Sequence, residues 1–237
     1  HGVESIAVMF LHSYANPAHE QAVLEALARR HPRLHLTASF EVAPEIREYE
    51  RLSTAVANAY IKPLAQRYLD RLAARIGALG IDAPFLLMLS NGGLTDVAEA
   101  KRTPIQLLES GPAAGVLAAT YFGGESGIER QVAFDMGGTT AKASLVDGGE
   151  PLIAYRFEAA REKRFTEGSG LPIKTSTIEL IEIGAGGGSI ARIDELGLLK
   201  VGPESAGAMP GAACYGRGGT QPTVTDADLL LGYHDPA

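Results

Sequence analysis

Residues 131–147, QVAFDMGGTTAKASLVD, are the most informative stretch of this 237-residue chain. An apolar segment ends in Asp135, a Gly-Gly-Thr-Thr turn follows at residues 137–140, and a second apolar segment continues to Asp147. This pattern predicts two strands joined by a tight turn. Glycines let an anion approach the backbone without a Cβ in the way, and several N–H groups of such a turn can face one phosphate.

The polar residues of this stretch strengthen the interpretation. Thr139 and Thr140 add hydroxyl donors, Lys142 follows closely, and Asp135 stands where a Mg²⁺ on the phosphate needs an oxygen ligand. The alternative is a hairpin turn without a ligand, for which Gly137 and Gly138 alone would suffice. Because an aspartate, two threonines and a lysine accompany the glycines, the sequence favours a nucleotide-phosphate loop.

Composition and charge restrict the class of protein. Hydrophobic residues make up 46% of the chain and charged residues 21%, which is typical of a globular protein. The formal net charge of −7 disfavours a nucleic-acid partner, and no apolar run approaches the roughly 18–20 residues of a membrane span. The single cysteine, Cys214, excludes an internal disulfide and suits a cytoplasmic protein.

The two halves of the chain show different patterns, which predicts a mixed α/β unit at residues 1–127 and a second domain at residues 128–237 that begins with an antiparallel meander. In the first half we expect strands at 6–11, 34–40 and 85–89, and helices at 16–30, 48–76 (with Pro63 inside) and 111–120. In the second half we expect strands at 132–135, 141–146, 152–157 and 177–183, a hairpin at 190–201 and a helix from Thr223.

A strand is predicted within a few residues of the start of the chain. There is no initiator methionine, and the apolar run at 6–10 begins almost at once. We therefore expect the chain to be a fragment of a longer protein.

A second glycine cluster, GAGGGS at residues 184–189, has a superficial dinucleotide-binding pattern. Gly186, Gly188 and Ala191 match G-x-G-x-x-A, but that motif requires a helix whose N-terminus holds the pyrophosphate. The following residues, SIARIDELGLLKV, alternate as strands do, so we reject this interpretation. A glycine cluster after a strand also suits close approach of backbone to a nucleoside. The chain has no GxxxxGK[ST] motif and is not a P-loop protein.

Further candidate residues have weaker support. Asn91-Gly92 and Glu109-Ser110 follow apolar segments, where α/β folds often bind ligands, and ordinary turn chemistry explains them equally well. Structural roles are favoured over metal binding or catalysis for His12, His19, His31, His35 and Cys214. For Asp226 and Asp228 a cation is an alternative to Asp226 acting as a helix N-cap. No residue is assigned a catalytic role.

Seven segments together resemble the hydantoinase A / 5-oxoprolinase family. They are FLHSYANPAHE (10–20), EVAPEIREYERLSTAVANAYIKPL (41–64), SNGGL (90–94), ESGPAAGV (109–116), DMGGTTAK (135–142), IEIGAGGGSIARID (181–194) and CYGRGGTQPTVTDADLLLG (214–232). The likeness runs nearly end to end and in order. It is specific to the family without choosing among its members.

The resemblance implies an α/β fold of the actin-like, sugar-kinase-like ATPase type, with two RNase H-like domains around a nucleotide cleft. In that fold a phosphate loop opens each domain. DMGGTT would then be the second loop, and the first would precede residue 1. Residues 1–127 would be the C-terminal part of the first domain, and residues 128–237 the N-terminal part of the second. The fragment alone would be inactive.

The resemblance also implies the chemistry, an ATP-dependent opening of a cyclic amide or imide such as a hydantoin or 5-oxoproline. ATP and Mg²⁺ (or Mn²⁺) would be required. Asp135 would hold the metal, Gly137–Thr140 would bind phosphate and Lys142 would help balance its charge. Gly184, Gly186, Gly187, Gly188 and Ser189 would line the nucleoside site. A B-type hydantoinase subunit would be the partner, in an oligomer.

Other functions remain open within the same fold. One is the ATP-binding subunit of an acetone or acetophenone carboxylase, in which phosphorylation would act on an enolate or bicarbonate. Another is a non-enzymatic actin-like nucleotide switch, and a third is a small-molecule kinase. The extent of the family resemblance disfavours the last two.

Overall fold

The computed structural model describes residues 2–159, 162 and 168–235. The chain divides into two compact units. Unit 1 comprises His1–Leu117 and Ile153–Ile178, and unit 2 comprises Ala118–Leu152 and Glu179–Ala237. This division differs from the predicted boundary at 127/128. The strands at 153–159 pair with those at 171–178, and the Lys174 and Ile178 N–H groups donate to Thr54 Oγ1 and to the Ser90 carbonyl of unit 1. Whether the units correspond to RNase H-like domains stays a prediction.

The first 125 residues contain four strands and five α-helices. The strands are β1 (Ser5–Val8), β2 (His35–Ala38), β3 (Leu86–Met88) and β4 (Leu94–Asp96), and the helices are α1 (Ala18–Arg30), α2 (Ser39–Val42), α3 (Glu48–Ala78), α4 (Val97–Arg102) and α5 (Ser110–Glu125). A 3₁₀ helix, Pro104–Leu107, precedes α5. The predicted helices are confirmed, and Pro63 lies inside α3 as expected.

The regular elements of the remaining described residues are mostly short strands. They are β5 (Gln131–Met136), β6 (Ala141–Asp147), β7 (Glu150–Pro151), β8 (Ile153–Ala154), β9 (Phe157–Ala159), β10 (Leu171–Ile173), β11 (Thr177–Ile178), β12 (Ile181–Ile183), β13 (Ser189–Ile193) and β14 (Leu199–Ser205), followed by helix α6 (Val224–Leu230). The predicted hairpin at 190–201 is confirmed by the antiparallel pair β13–β14.

Unit 1 begins with a parallel β1–α1–β2 element. Ser5 pairs with His35 and Val8 with Ala38 in parallel register, as α1 returns the chain to the same edge. Strand β2 ends earlier than predicted because Ser39 begins the short helix α2. The buried carboxylate of Glu20 explains this end, since it accepts hydrogen bonds from the Ser39 hydroxyl at 2.7 Å and from the Phe40 N–H at 3.2 Å.

Helix α3 connects much of unit 1 through buried polar side chains. Asn58 is fully buried and donates to Thr37 Oγ1 at 3.1 Å, while its Oδ1 accepts from the Ile105 N–H at 3.1 Å. The apolar core beside it is built from small residues, with Val42, Ala43 and Ala55 packed together. The amide therefore fixes the positions of β2 and the 3₁₀ helix relative to α3.

Three strand predictions need correction. The predicted buried strand at 85–89 is a half-exposed hairpin strand that pairs with β4. The predicted strand at 152–157 is two strands, β8 and β9, which pair with β11 and β10 in unit 1. The predicted strand at 177–183 is likewise divided, and its second part, β12, joins β6 in unit 2. Alternation predicts extended backbone but does not identify the partner strand.

The four-stranded sheet of unit 2 has the strand order β12-β6-β5, and β7 also pairs with β6. Asp135 lies opposite Lys142, and Lys142 lies opposite Glu182, so these three side chains share one face at the turn end of the sheet. The other face carries large apolar side chains that are 41–63% exposed, namely Val132, Phe134, Met136, Leu145, Ile181 and Ile183.

Candidate nucleotide-phosphate site

The turn between β5 and β6 is closed by its own backbone. The Gly137 N–H donates to the Thr140 carbonyl at 2.9 Å, and residues 137–139 are exposed. Among the described residues, no acceptor receives the N–H groups of Gly138, Thr139 or Thr140. Adjacent N–H groups of this kind form the concave donor set that binds phosphate oxygens in other turns.

Charged side chains lie on the strands next to this turn. Lys142 Nζ lies 4.0 Å from Glu182 Oε1, and its side chain is 17% exposed. Asp135 is exposed and occupies the position opposite Lys142 on the other neighbouring strand. The lysine therefore stands in register between two carboxylates, so any charge that it offers a phosphate is shared with Glu182.

The second glycine cluster packs directly against the first turn. The Gly187 N–H donates to the Gly137 carbonyl at 3.0 Å, and the Gly188 N–H donates to the Gly138 carbonyl at 2.8 Å. These bonds hold the carbonyls of the turn on one side. They also use the N–H groups of Gly187 and Gly188, which are therefore not directed at a ligand.

The close approach explains why glycines are needed here. A Cβ at Gly186 would lie 2.6 Å from the Gly137 carbonyl oxygen and 2.6 Å from the Thr139 nitrogen. A Cβ at Gly188 would lie 2.9 Å from the Gly138 carbonyl oxygen. Glycine at these positions is thus required by contact between the two loops, and the expected contact with a nucleoside stays a prediction.

Neighbouring polar groups hold the second cluster in place. Ser189 is buried, and its Oγ accepts from the Gly186 N–H at 2.9 Å. Thr225 donates to the Gly187 carbonyl through both its N–H, at 2.8 Å, and its hydroxyl, at 2.9 Å. Gly184 directly follows β12, and its carbonyl oxygen lies beside Gly202. The sequence predicts a strand after this cluster, and β13 confirms it and excludes the dinucleotide-binding motif.

Asp226 has a structural role beside this cluster. Thr223 is the N-cap of α6, and Asp226 completes a capping box with it, which corrects the prediction that Asp226 itself is the cap. Burial would raise the pKa of Asp226, but hydrogen bonds from the Cys214 N–H, the Cys214 thiol and Thr223 outweigh it and hold that pKa far below its usual range.

Cys214 is exposed, and the hydrogen bond of its thiol to Asp226 raises its pKa. A raised pKa lowers the thiolate fraction at neutral pH, which argues against a nucleophilic role. Within the described residues, no group of three His, Cys, Asp or Glu side chains could hold a metal ion. The metal-binding role of Asp135 stays a prediction, since Mg²⁺ usually takes one or two carboxylates and completes its shell with phosphate oxygens and water.

The predicted substrate residues lie in unit 1 around Ser90. Asn91 lines a cavity of about 190 Å³. Gly92 has φ +87°, and a Cβ there would lie 2.9 Å from Leu117 Cδ1, so its role is conformational. The Glu109 N–H donates to Ser90 Oγ at 3.2 Å, and Ser110 is the first residue of α5. Of these residues, Asn91 has the clearest position for binding a ligand.

Sequence reasoning missed Glu182 and Thr225. Glu182 is the polar position of an Ile-Glu-Ile strand, and alternation alone could place it on the lysine's face only if the pairing of β12 with β6 were known. Thr225 lies 38 residues from Gly187, and its only sequence signal is the capping pattern at the start of α6.

In the part of the chain that the structure describes, no helix is both long enough and apolar enough to span a membrane.

Comparison with known proteins gives two family matches. The model described as hydantoinase/oxoprolinase matches residues 51–237, and the one described as hydantoinase/oxoprolinase N-terminal region matches residues 1–31.

Individual relatives agree with these matches. Caprolactamase subunit alpha of Pseudomonas jessenii is 39% identical over 98% of this chain and 32% of its own length. Acetophenone carboxylase gamma subunit of Aromatoleum aromaticum is 37% identical over 99% of this chain and 32% of its own. The 5-oxoprolinase of Saccharomyces cerevisiae is 36% identical over 98% of this chain and 17% of its own.

A solved structure extends the agreement to the fold. The crystal structure of the ATP-dependent caprolactamase from Pseudomonas jessenii has a TM-score of 0.75, covering 98% of this chain and 32% of the caprolactamase chain. The chain thus spans about a third or less of the length of these relatives. The family resemblance and the mixed α/β class are confirmed, and the chain belongs to the hydantoinase/oxoprolinase family.

Proposed function

We propose that this chain carries a phosphate-binding part of an ATP-dependent hydrolase that opens a cyclic amide or imide. The observation that carries the proposal is the turn at residues 137–140, where three neighbouring N–H groups have no acceptor among the described residues. Two hydrogen bonds from the second glycine cluster to the Gly137 and Gly138 carbonyls hold this turn in place. Such a preformed donor set needs no rearrangement to bind a phosphate.

The proposed chemistry is activation of an unreactive carbonyl. When bound, ATP supplies a γ-phosphoryl group that turns the amide oxygen into part of a better leaving group. The chain's contribution is alignment and charge balance, which dominate protein catalysis of phosphoryl transfer. The N–H groups of Gly138, Thr139 and Thr140 bind phosphate oxygens, the two threonine hydroxyls add donors, and Lys142 offsets part of the negative charge.

The exposed carboxylate of Asp135 is proposed to hold Mg²⁺, or Mn²⁺, directly or through water. The loop of the second glycine cluster is proposed to support the turn through Gly184, Gly186, Gly187, Gly188 and Ser189. The outer surface of the same loop is proposed to contact the nucleoside. An actin-like arrangement of RNase H-like domains is proposed for the fold, supported by the strand-turn-strand form of β5–β6 and by likeness to an ATP-dependent enzyme.

The relatives' names also bear on assembly. Caprolactamase and acetophenone carboxylase are named by subunits, which supports an oligomeric enzyme with a B-type hydantoinase subunit as partner. A cytoplasmic location is proposed from the single, exposed cysteine and from the ATP requirement. Neither a nucleic acid nor a membrane is proposed as a partner of this acidic chain.

A second candidate is the ATP-binding subunit of an acetone- or acetophenone-type carboxylase. The observation that favours it is the 37% identity to the acetophenone carboxylase gamma subunit over 99% of this chain. The same phosphate turn would serve it, because both reactions begin with transfer of a phosphoryl group.

The test is ATP turnover by the native protein, purified with the subunits that accompany it, in the presence of caprolactam, hydantoin, 5-oxoproline or acetophenone with bicarbonate. Turnover should require one of the cyclic amides and should fall at least a hundredfold in Asp135→Asn. Asp147→Asn is the matched control, since Asp147 lies at the opposite end of β6 in a highly exposed pair with Arg130. It should leave turnover unchanged.

The other outcomes distinguish the alternatives. Stimulation by acetophenone and bicarbonate alone would replace the hydrolase by the carboxylase. A stable phosphorylated product would indicate a kinase, and nucleotide binding without stimulated turnover would indicate a switch. Equal turnover in Asp135→Asn and the wild type would refute the metal assignment.

A further inference from the structure

We infer that the cavity beside Asn91 in unit 1 binds a small, uncharged cyclic amide and discriminates against lactams that carry a carboxylate. The cavity measures about 190 Å³ and is lined by Val42, Ala43, Pro44, Glu45, Leu89, Asn91, Gln106, Tyr155, Lys174, Thr175 and Ser176. This inference rests on the proposed function, for which it names the substrate site and the substrate's charge.

The walls of the cavity are joined to one another by hydrogen bonds. Ser90, next to Asn91, donates to the Gln106 carbonyl through its N–H at 2.8 Å and its hydroxyl at 2.6 Å. The Ser90 carbonyl in turn accepts from the Ile178 N–H at 2.8 Å. Elsewhere in the lining, the Lys174 N–H donates to Thr54 Oγ1 on α3 at 2.8 Å. The cavity is therefore preformed, which lowers the cost of ordering side chains on binding.

The charges that line the cavity cancel. Lys174 Nζ lies 2.6 Å from Glu45 Oε2, and the lysine side chain is only 11% exposed. The other lining residues are neutral. The Glu45 side chain is 58% exposed, so the main obstacle to a carboxylate ligand is that the half of the pair facing the cavity, the Lys174 ammonium, is already neutralised by Glu45. A neutral ligand meets no such obstacle.

The neutral polar groups suit an amide. Asn91 Oδ1 accepts from the Gly93 N–H at 2.9 Å, which orients the side chain and leaves its NH₂ as a donor. Within the described residues, no partner is found for that NH₂, for the Gln106 amide or for the Thr175 and Ser176 hydroxyls. A ring amide presents one N–H and one carbonyl, which these donors and acceptors can satisfy together.

The apolar part of the lining accounts for the ring. Val42, Ala43, Pro44 and Leu89 form a minor apolar part of a mostly polar lining, against which the carbon atoms of a small ring can pack. The lining carries no net positive charge to attract a triphosphate, so this site differs in chemistry from the phosphate turn of unit 2.

The experiment compares two probes that share one ring. 2-Pyrrolidinone and 5-oxoproline are the same five-membered lactam without and with a carboxylate. We expect calorimetric titration of the native protein without ATP to give a Kd for 2-pyrrolidinone at least tenfold below that for 5-oxoproline. Equal affinities, or a preference for 5-oxoproline, would overturn the inference.

Variants assign the selectivity to named groups. Glu45→Gln frees the Lys174 charge, so the ratio of the two Kd values should shift at least tenfold towards 5-oxoproline. Asn91→Asp keeps the acceptor for the Gly93 N–H but removes the NH₂, and should weaken 2-pyrrolidinone binding at least tenfold. Asn16→Asp is its matched control, because Asn16 Oδ1 likewise accepts from the N–H two residues on, outside the cavity. If Asn91→Asp does not fold, Gln106→Met provides the same test.

The cavity and the hydrolase activity can be refuted separately. Binding that follows this pattern without any lactam-dependent ATP turnover would retain the cavity and refute the proposed hydrolase. Lactam-dependent turnover with an unchanged lactam KM in Asn91→Asp and Gln106→Met would retain the hydrolase and refute the cavity.

Discussion

Replacement of Gly186 by alanine tests whether the two glycine loops of unit 2 act as one structural element. The added Cβ would lie 2.6 Å from Gly137 O and Thr139 N and 2.7 Å from Gly138 C. Ordinary contacts begin near 3.4 Å, so the loops must separate by about 0.8 Å. All of these neighbours are backbone atoms, which cannot rotate away as a flexible side chain would.

The cost of this separation can be worked from the contacts that it disturbs. The hydrogen bonds from Gly187 and Gly188 to the turn would both lengthen, and each contributes about 1 kcal/mol. Local strain adds about 1–3 kcal/mol. The less flexible unfolded chain returns about 0.4–1 kcal/mol. We expect the free energy of opening of this region to fall by about 2–4 kcal/mol.

Amide hydrogen exchange of the native protein, followed by mass spectrometry, measures this locally. Peptides that cover residues 131–147 and 181–194 should exchange about 30- to 1000-fold faster in Gly186→Ala, as a loss of 2–4 kcal/mol requires. Gly124→Ala is the control, because no atom lies within 4 Å of its Cβ position in α5 and alanine favours a helix. It should leave both peptides unchanged.

Gly138→Ala separates packing from ligand binding. No atom lies within 4 Å of a Cβ at Gly138, so exchange without ATP should match the wild type while ATP binding weakens at least tenfold. Unchanged exchange in Gly186→Ala would refute the loop-to-loop packing. Unchanged ATP affinity in Gly138→Ala would refute the phosphate turn.

Three further changes test other parts of the structure. Glu20→Gln should lower the free energy of unfolding by about 2–3 kcal/mol, since its buried carboxylate accepts from three donors, and urea titration measures this. Burial raises the pKa of Glu20 but these hydrogen bonds outweigh it and lower that pKa, so the wild-type advantage should persist above about pH 4.3 and diminish below it. Asp226→Asn should increase alkylation of Cys214 by iodoacetamide at pH 8 several-fold, because the carboxylate that raises the thiol pKa is gone; an equal rate would contradict that cause. Thr225→Val removes the hydroxyl bond to Gly187 and should lower stability by about 1 kcal/mol in the same urea titration, with Thr225→Ser as the control that retains it.

Elements whose signals lie within one segment could be predicted from the sequence. The periodicity of α3 and the alternation of β5, β6, β13 and β14 each specify a local structure, and the structure has them nearly where expected. The strands at 152–157 and 177–183 were wrong in extent because each segment is divided between two partners that lie elsewhere in the chain. Alternation is the same whichever strand pairs with it.

The candidate site shows the same limit. The turn predicts a phosphate loop through the types and order of its glycines, its threonines and Asp135. The contact of Gly187 and Gly188 with that turn joins residues about fifty positions apart, and no local pattern encodes it. The cavity beside Asn91 likewise depends on Lys174 and Gln106, which are unremarkable until the fold brings them together.

The hydrogen-bond arrangement also decides what each glycine cluster can contribute to binding. The N–H groups of Gly187 and Gly188 are used by the turn, so they add no direct attraction to a phosphate. Under the proposed function, their effect would be to hold Gly137 and Gly138 in one conformation before phosphate binds, which reduces the ordering that binding must impose. Alterations in the second cluster should therefore weaken nucleotide binding in proportion to the loss of local order, whereas alterations at residues 138–140 weaken it with local order intact.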